Sequence, residues 1–117
     1  MAQLVFVYNA NAGFMNRMFD SLHKLMRPST YQCSLCMITF NYSGMRDSWK
    51  VYLNNLPIEK KFIHRDEFIV QYPDKKNLCL PSVFLQEDNE LTQIVTAKDL
   101  NQTDLKGLME RISNALK

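Results

Sequence analysis

Cys33 and Cys36, in the stretch YQCSLCMITF, are the side chains of this chain best suited to chemistry. Two thiols at this spacing can act as a redox pair, can supply two ligands to a metal ion, or can pack as small apolar residues. If they act together, the residues between them must form a turn. Residues i and i+3 of a strand lie about 10 Å apart, whereas a disulfide requires Cα atoms within about 7 Å. The sequence leaves the three roles open.

Asp20 and His23 are candidates to complete a metal site with the two cysteines. They are spaced i and i+3 in a segment that predicts a helix, so they share one face of it, and a short loop leads from that helix to Cys33. Two thiolates, one imidazole and one carboxylate form an acceptable tetrahedral zinc site. Zinc is therefore the cofactor that this pattern suggests. A surface histidine near the helix end explains His23 equally well.

The composition limits the classes of function. The 117 residues are 46% hydrophobic and 22% charged, as in an ordinary globular protein, and predict a single domain over residues 1–117. The formal charge of +2 is spread in mixed-sign clusters, which does not indicate a nucleic-acid partner. The apolar run at the N-terminus is too short for a signal peptide or a membrane span, so we expect a cytoplasmic protein without a membrane partner. In a reducing cytoplasm a C-x-x-C pair is typical of redox or metal chemistry rather than of a structural disulfide.

The elements that must position these residues alternate between strand and helix in the first part of the chain. QLVFVY (residues 3–8), CMITF (36–40) and KFIH (61–64) predict strands. Residues 13–27, a segment opening near Ser43 and ending before Pro57, and DEFIVQY (66–72) predict helices. In the second of these helices the apolar stripe is formed by Trp49, Tyr52, Leu53 and Leu56. We expect Trp49 to be buried against the sheet together with Leu53 and Leu56.

The second part of the chain predicts an antiparallel hairpin followed by a closing helix. PSVFLQ (81–86) and ELTQIV (90–95) are strand runs joined by the polar residues at 87–89. Thr96 and Thr103 are candidate N-caps for the closing helix. The element order βαβαβαββα implies parallel strands joined by crossover helices, with an antiparallel hairpin at the edge. The expected fold is an α/β protein with a mixed sheet and helices on both faces.

This order, with Pro81 directly before the hairpin, resembles the thioredoxin-like fold over nearly the whole chain. The resemblance implies a three-layer α/β/α sandwich, a cis peptide bond before Pro81 and an active site facing that proline. Cys79, two residues before Pro81, would then approach the active-site edge as a single reactive thiol.

The stretch VYNANAGFMNR resembles the start of the DCC family of thioredoxin-like thiol oxidoreductases. Tyr8 is kept, but the two cysteines of the family fall on Ala12 and Met15, where no thiol remains. Aligned with thioredoxin itself, the redox motif falls on NYSG at 41–44, which also lacks cysteine.

The predicted strand at 36–40 places Cys33 and Cys36 at the start of a parallel strand, and so at the edge of the sheet opposite Pro81, with His64 on the far edge. Neither cysteine then lies at a helix N-terminus. The resulting hypothesis is a thioredoxin-like protein with a displaced C-x-x-C, which acts on a thiol or disulfide partner through Cys33 and Cys36. The alternatives are a non-catalytic binding module with structural zinc, and an interaction scaffold with inert thiols.

Overall fold

The computed structural model describes residues 2–9, 33–41 and 44–117. The strands in these ranges are β1 (Ala2–Val7), β2 (Phe40–Asn41), β3 (Gly44–Met45), β4 (Glu59–Ile63), β5 (Ser82–Glu87) and β6 (Glu90–Val95). The helices are α1 (Ser34–Thr39), α2 (Asp47–Asn55), α3 (Arg65–Gln71), α4 (Ala97–Asn101) and α5 (Leu105–Ala115), with a 3-10 turn at Pro73–Lys75. The helix predicted over residues 13–27 lies outside the described residues.

Four of the strands form one mixed sheet in the order β4-β1-β5-β6. β1 runs parallel to β4, and β5 runs antiparallel to both β1 and β6. The predicted hairpin is therefore confirmed, with β6 as its outer strand. At its turn Asp88 has a φ of 56°, a left-handed conformation that aspartate tolerates better than most residues. β2 and β3 form a separate two-stranded hairpin.

β1 is covered on both of its faces, as its continuous apolar run predicts. Leu4 and Phe6 pack in one cluster with residues of α1, α2, α4 and α5, whereas Val5 and Val7 pack in a second cluster with Phe68 of α3. All four of these β1 side chains are fully buried. Helices thus lie on both faces of the mixed sheet, and the prediction of an α/β protein is confirmed.

α2 is fixed to the sheet by its single tryptophan. Trp49 is fully buried and meets Phe6 of β1 edge to face, with ring centroids 5.6 Å apart. Leu53 is buried beside it, and Leu56 packs against the same cluster. The apolar stripe predicted for this helix is confirmed. The helix begins at Asp47 rather than near Ser43, which lies outside the described residues.

The prediction of a strand at CMITF is wrong. Residues Ser34–Thr39 form helix α1, and extended backbone begins only at Phe40. The β-branched and aromatic residues at 38–40 favour a strand locally. Packing decides otherwise, because a helix turns Leu35, Cys36 and Thr39 together into the core at spacing i, i+1 and i+4. Among the described strands, the parallel set is therefore reduced to β1 and β4.

The C-terminal segment forms two helices instead of one. Thr96 caps α4 as predicted, in a capping box with Asp99. The cap of α5 is Asp104 and not Thr103, since the Asp104 side chain accepts the N–H of Gly107 at 2.9 Å. Thr and Asp are both good N-caps, so the sequence alone did not distinguish these neighbours.

Candidate functional site

Cys33 and Cys36 lie at disulfide-bonding distance, with Cα atoms 5.3 Å apart. The expected proximity is confirmed, but its cause is the first turn of α1. Cys33 is the N-cap of this helix, and the Met37 N–H donates to the Cys33 carbonyl at 3.1 Å. The prediction that neither cysteine lies at a helix N-terminus is therefore wrong. Both side chains are only 1% exposed.

The sulfur of Cys33 receives two backbone hydrogen bonds. The N–H of Cys36 and the N–H of Asn9 each donate to Cys33 Sγ at 3.3 Å. Hydrogen bonds to a charged form stabilise that form, so these donors favour a thiolate at Cys33 when the pair is reduced. These two donors make Cys33 a candidate nucleophile.

The cysteine pair lies at the C-terminal end of β1, which is also the end of the sheet that carries Pro81. The predicted placement at the opposite end of the sheet is therefore wrong. Asn9, whose N–H reaches Cys33 Sγ, follows the C-terminal end of β1. β5 is antiparallel to β1 with Ser82 opposite Val7, so Pro81 lies beyond that same end of β1. The Leu80–Pro81 peptide bond is cis, as expected. The placement predicted from the sequence failed because it assumed a strand at residues 36–40.

Hydrogen bonds at its last turn hold α1 in place. Thr39 Oγ1 donates to the Leu35 carbonyl at 2.7 Å. Arg46, which follows β3, donates through Nε to the Ile38 carbonyl at 2.9 Å and through a second guanidinium nitrogen to the Met37 carbonyl at 3.4 Å. A cation at a helix C-terminus satisfies carbonyls that have no partner within the helix. Arg46 thereby fixes the short helix that presents the two cysteines.

His64 lies at the same edge, although the sequence placed it far from the cysteines. Its ring centroid is 5.8 Å from that of Tyr8, the residue between Val7 and Asn9. His64 Nδ1 and Glu67 Oε1 are 2.6 Å apart, and the same oxygen accepts the His64 backbone N–H at 2.8 Å. These two hydrogen bonds from His64 lower the pKa of the Glu67 carboxyl, the backbone bond most. The sequence feature that indicates this location is the position of His64 directly after β4, a strand that runs parallel to β1.

Cys79 is exposed and is the only free cysteine in the described part of the chain. Its carbonyl accepts the Ser82 hydroxyl at 2.9 Å, and that hydroxyl accepts the Gln93 side-chain amide at 2.8 Å. These bonds fix the backbone on either side of Pro81. A groove of about 800 Å³ lies alongside, lined in part by Cys79, Leu80 and Thr96.

A metal site is not assembled within residues 2–9, 33–41 and 44–117, where no group of three or more His, Cys, Asp or Glu residues is arranged to hold an ion. Asp20 and His23, the other two predicted zinc ligands, lie outside the described residues. The two predicted ligands within the described residues, Cys33 and Cys36, are brought together.

None of the helices in the described segments is both long and apolar enough to cross a membrane. Comparison of the chain with protein-family models, with curated proteins and with solved structures found no match. The functional interpretation therefore rests on the geometry of the site.

Proposed function

We propose that this chain is a cytoplasmic thioredoxin-like protein that carries out thiol–disulfide exchange with a partner protein, with Cys33 as the attacking thiol and Cys36 as the resolving one. The observation that carries the proposal is the pair of N–H donors on Cys33 Sγ, at a helix N-cap within disulfide distance of Cys36. The thioredoxin-like assignment is supported by the parallel pair β1 and β4, by the antiparallel hairpin, and by the shared edge of Cys33 and Pro81.

The exchange proceeds in two balanced steps. The Cys33 thiolate attacks one sulfur of a partner disulfide, so that a mixed disulfide forms and the other partner sulfur leaves as a thiolate that takes a proton from solvent. Cys36 then loses its proton to solvent and attacks Cys33 Sγ. The Cys33–Cys36 disulfide forms, and the second partner sulfur leaves. The partner gains two electrons, and the pair loses two.

The burial of the pair sets a condition on this reaction. Each cysteine is 1% exposed, so a partner sulfur cannot approach Cys33 in the conformation described. Exchange must therefore pass through an opened state, and its rate should increase in low concentrations of denaturant that leave the fold intact.

Purified protein equilibrated in glutathione buffers tests the proposal, with thiols counted by alkylation and mass spectrometry. The pair is expected to reduce and re-form as the buffer composition changes. Cys36→Ser should accumulate a mixed disulfide with glutathione at Cys33, whereas Cys33→Ser should accumulate much less at Cys36. Cys79→Ser is the matched control, because Cys79 is exposed and outside the pair; its pair should titrate as in the wild type.

Three outcomes would contradict redox activity. A pair that stays oxidised throughout behaves like a structural disulfide, whose potential lies below about −300 mV. One zinc per chain in protein purified without chelator, released when the thiols are blocked, would instead support the binding module with Asp20, His23, Cys33 and Cys36 as ligands. Thiols that neither bind zinc nor exchange would support the interaction scaffold.

A further inference from the structure

Arg46 provides hydrogen bonds to the last turn of α1 from a position outside that helix. The last carbonyls of a helix have no partner within it. The backbone N–H of Arg46 donates to the Thr39 carbonyl at 2.8 Å. Its guanidinium donates to the Ile38 carbonyl at 2.9 Å and to the Met37 carbonyl at 3.4 Å. One residue thus holds three consecutive carbonyls at the C-terminal end of the helix that carries the cysteines.

Arg46 is itself held in place by α2. Its carbonyl accepts the Lys50 N–H at 3.0 Å in the first turn of α2, and the buried Trp49 packs this turn against Phe6. The Arg46 side chain makes no capping hydrogen bond to α2. The side chain can therefore be replaced without removing a hydrogen bond of α2, and its effect on α1 can be measured separately.

Helix α1 depends on such support because it is short. It contains six residues, Ser34–Thr39, whereas isolated helices below about 12–15 residues are marginal in water. The oxidised pair links the N-cap to the first turn. Closing a loop of about four residues lowers the population of opened states by about twentyfold in the chain-entropy model, and reduction removes this restraint. The hydrogen bonds from Arg46 do not depend on the disulfide, so they hold α1 in the reduced form, which must attack a partner.

We propose that Arg46 is a positioning residue of the thiol–disulfide site: its side chain holds α1 in the conformation that buries the cysteines, and local opening of α1 exposes them to a partner. This inference rests on the proposed redox function and identifies the segment that must open. A groove of about 480 Å³ lies beside the last turn of α1, lined in part by Met37, Ile38 and Leu105. This end of the helix therefore borders open space into which it can move.

Alkylation of the reduced pair measures the opening. The chain has three cysteines, so Cys79→Ser leaves the pair as its only thiols. The reduced protein is labelled with iodoacetamide at a single pH, and each rate is divided by that of the same variant unfolded in urea. Arg46→Met removes the guanidinium. Tyr52→Phe is the matched control, since it removes hydrogen bonds from α2 to Met109 and Ser113 of α5 and leaves those of α1 intact. Circular dichroism confirms that each variant is folded.

Arg46→Met should be labelled about five- to thirtyfold faster than its parent, the factor expected for losing hydrogen bonds from a charged donor. Tyr52→Phe should be labelled at the parental rate, although it lowers the free energy of unfolding. Arg46→Lys keeps a charged donor and should lie between parent and Arg46→Met; it carries the comparison if Arg46→Met does not fold. Hydrogen exchange at the Met37 and Phe40 amides, which close the turns of α1, should accelerate by the same factor without involving thiol chemistry.

Two results would refute the role of Arg46. Equal acceleration by Arg46→Met and Tyr52→Phe would mean that the thiols are exposed only by global unfolding. An unchanged rate in Arg46→Met would mean that its side chain does not control the opening. The glutathione titration is a separate measurement: a pair that does not exchange there refutes the redox function, whatever the labelling rates show about the opening of α1.

Discussion

Replacement of Trp49 provides the sharpest test of how the core is built. Trp49 is fully buried between Phe6 of β1, which it meets edge to face at 5.6 Å, and Tyr52, on which it stacks at 5.8 Å. Removing a large buried aromatic costs about 3–5 kcal/mol, and each aromatic pair accounts for about 0.5–1.5 kcal/mol of such a loss. We therefore expect Trp49→Ala to lower the free energy of unfolding by about 3–5 kcal/mol.

Trp49→Phe separates the contribution of the ring from that of its N–H. Trp49 Nε1 is buried and has no hydrogen-bond partner in the described part of the chain. A buried donor without a partner costs about 1–3 kcal/mol. Phenylalanine removes this donor and keeps one ring, so the lost packing and the removed penalty partly cancel. The net loss for Trp49→Phe should stay below about 2 kcal/mol.

Urea unfolding followed by circular dichroism measures both variants, since the chain has one tryptophan and the variants lose its fluorescence. With a denaturant slope of about 2 kcal/mol per molar, Trp49→Ala should lower the midpoint by about 1.5–2.5 M. A loss below about 1 kcal/mol, as for a surface substitution, would refute the placement of α2 against β1. Equal losses for the two variants would refute the argument about the indole N–H.

Two further predictions concern the support of the site and the response to acid. Arg46→Met keeps the aliphatic stem but removes the hydrogen bonds to the last turn of α1. It should lower the free energy of unfolding, measured in urea, by about 1–2 kcal/mol. Lys50→Met, at an exposed position of α2, is the control, and its free energy of unfolding should stay within about 0.5 kcal/mol of the wild type. The pKa of Asp99 is lowered, chiefly by the Thr96 backbone N–H, so its contribution to stability is present above the unfolded pKa near 3.9 and is lost as the pH falls below it. Asp99→Asn should therefore be less stable than the wild type at about pH 6, and the difference should shrink as the pH falls below the unfolded pKa of about 3.9; a stability difference that does not shrink in acid would contradict the electrostatic explanation.

The elements that the sequence predicted well are those whose residue pattern agrees with their packing. β1 is a continuous apolar run and is buried on both faces, and the stripe of Trp49 and Leu53 on α2 faces the sheet. The two runs around Asp88 form the expected hairpin. In each of these segments local preference and tertiary environment favour the same conformation, which is the condition under which a single sequence is informative.

In the segment with the cysteines, local preference and tertiary environment favour different conformations. Ile38, Thr39 and Phe40 favour a strand by their side-chain shape, yet Ser34–Thr39 form a helix. Part of its stabilisation comes from Arg46, which bonds the carbonyls of Met37 and Ile38 across the β2–β3 hairpin. A local sequence pattern carries no information about such contacts. Because residues 36–40 were assigned to a strand, the cysteine pair was predicted at the wrong end of the sheet.

The corrected position of Cys33 bears on the two positions at which the sequence resemblance expects cysteine. The resemblance to thiol oxidoreductases places two thiols at residues 12 and 15, soon after β1, where this chain has alanine and methionine. Cys33 nevertheless receives a hydrogen bond from Asn9, which also follows β1 and is 24 residues away in the chain. A sulfur from a different segment thus reaches the C-terminal end of β1. The sheet, and not the order of residues along the chain, determines which side chains meet at the ends of its strands. Thiol chemistry at this end of the sheet therefore does not require cysteines at residues 12 and 15, and the glutathione titration of Cys33 and Cys36 decides whether that chemistry occurs.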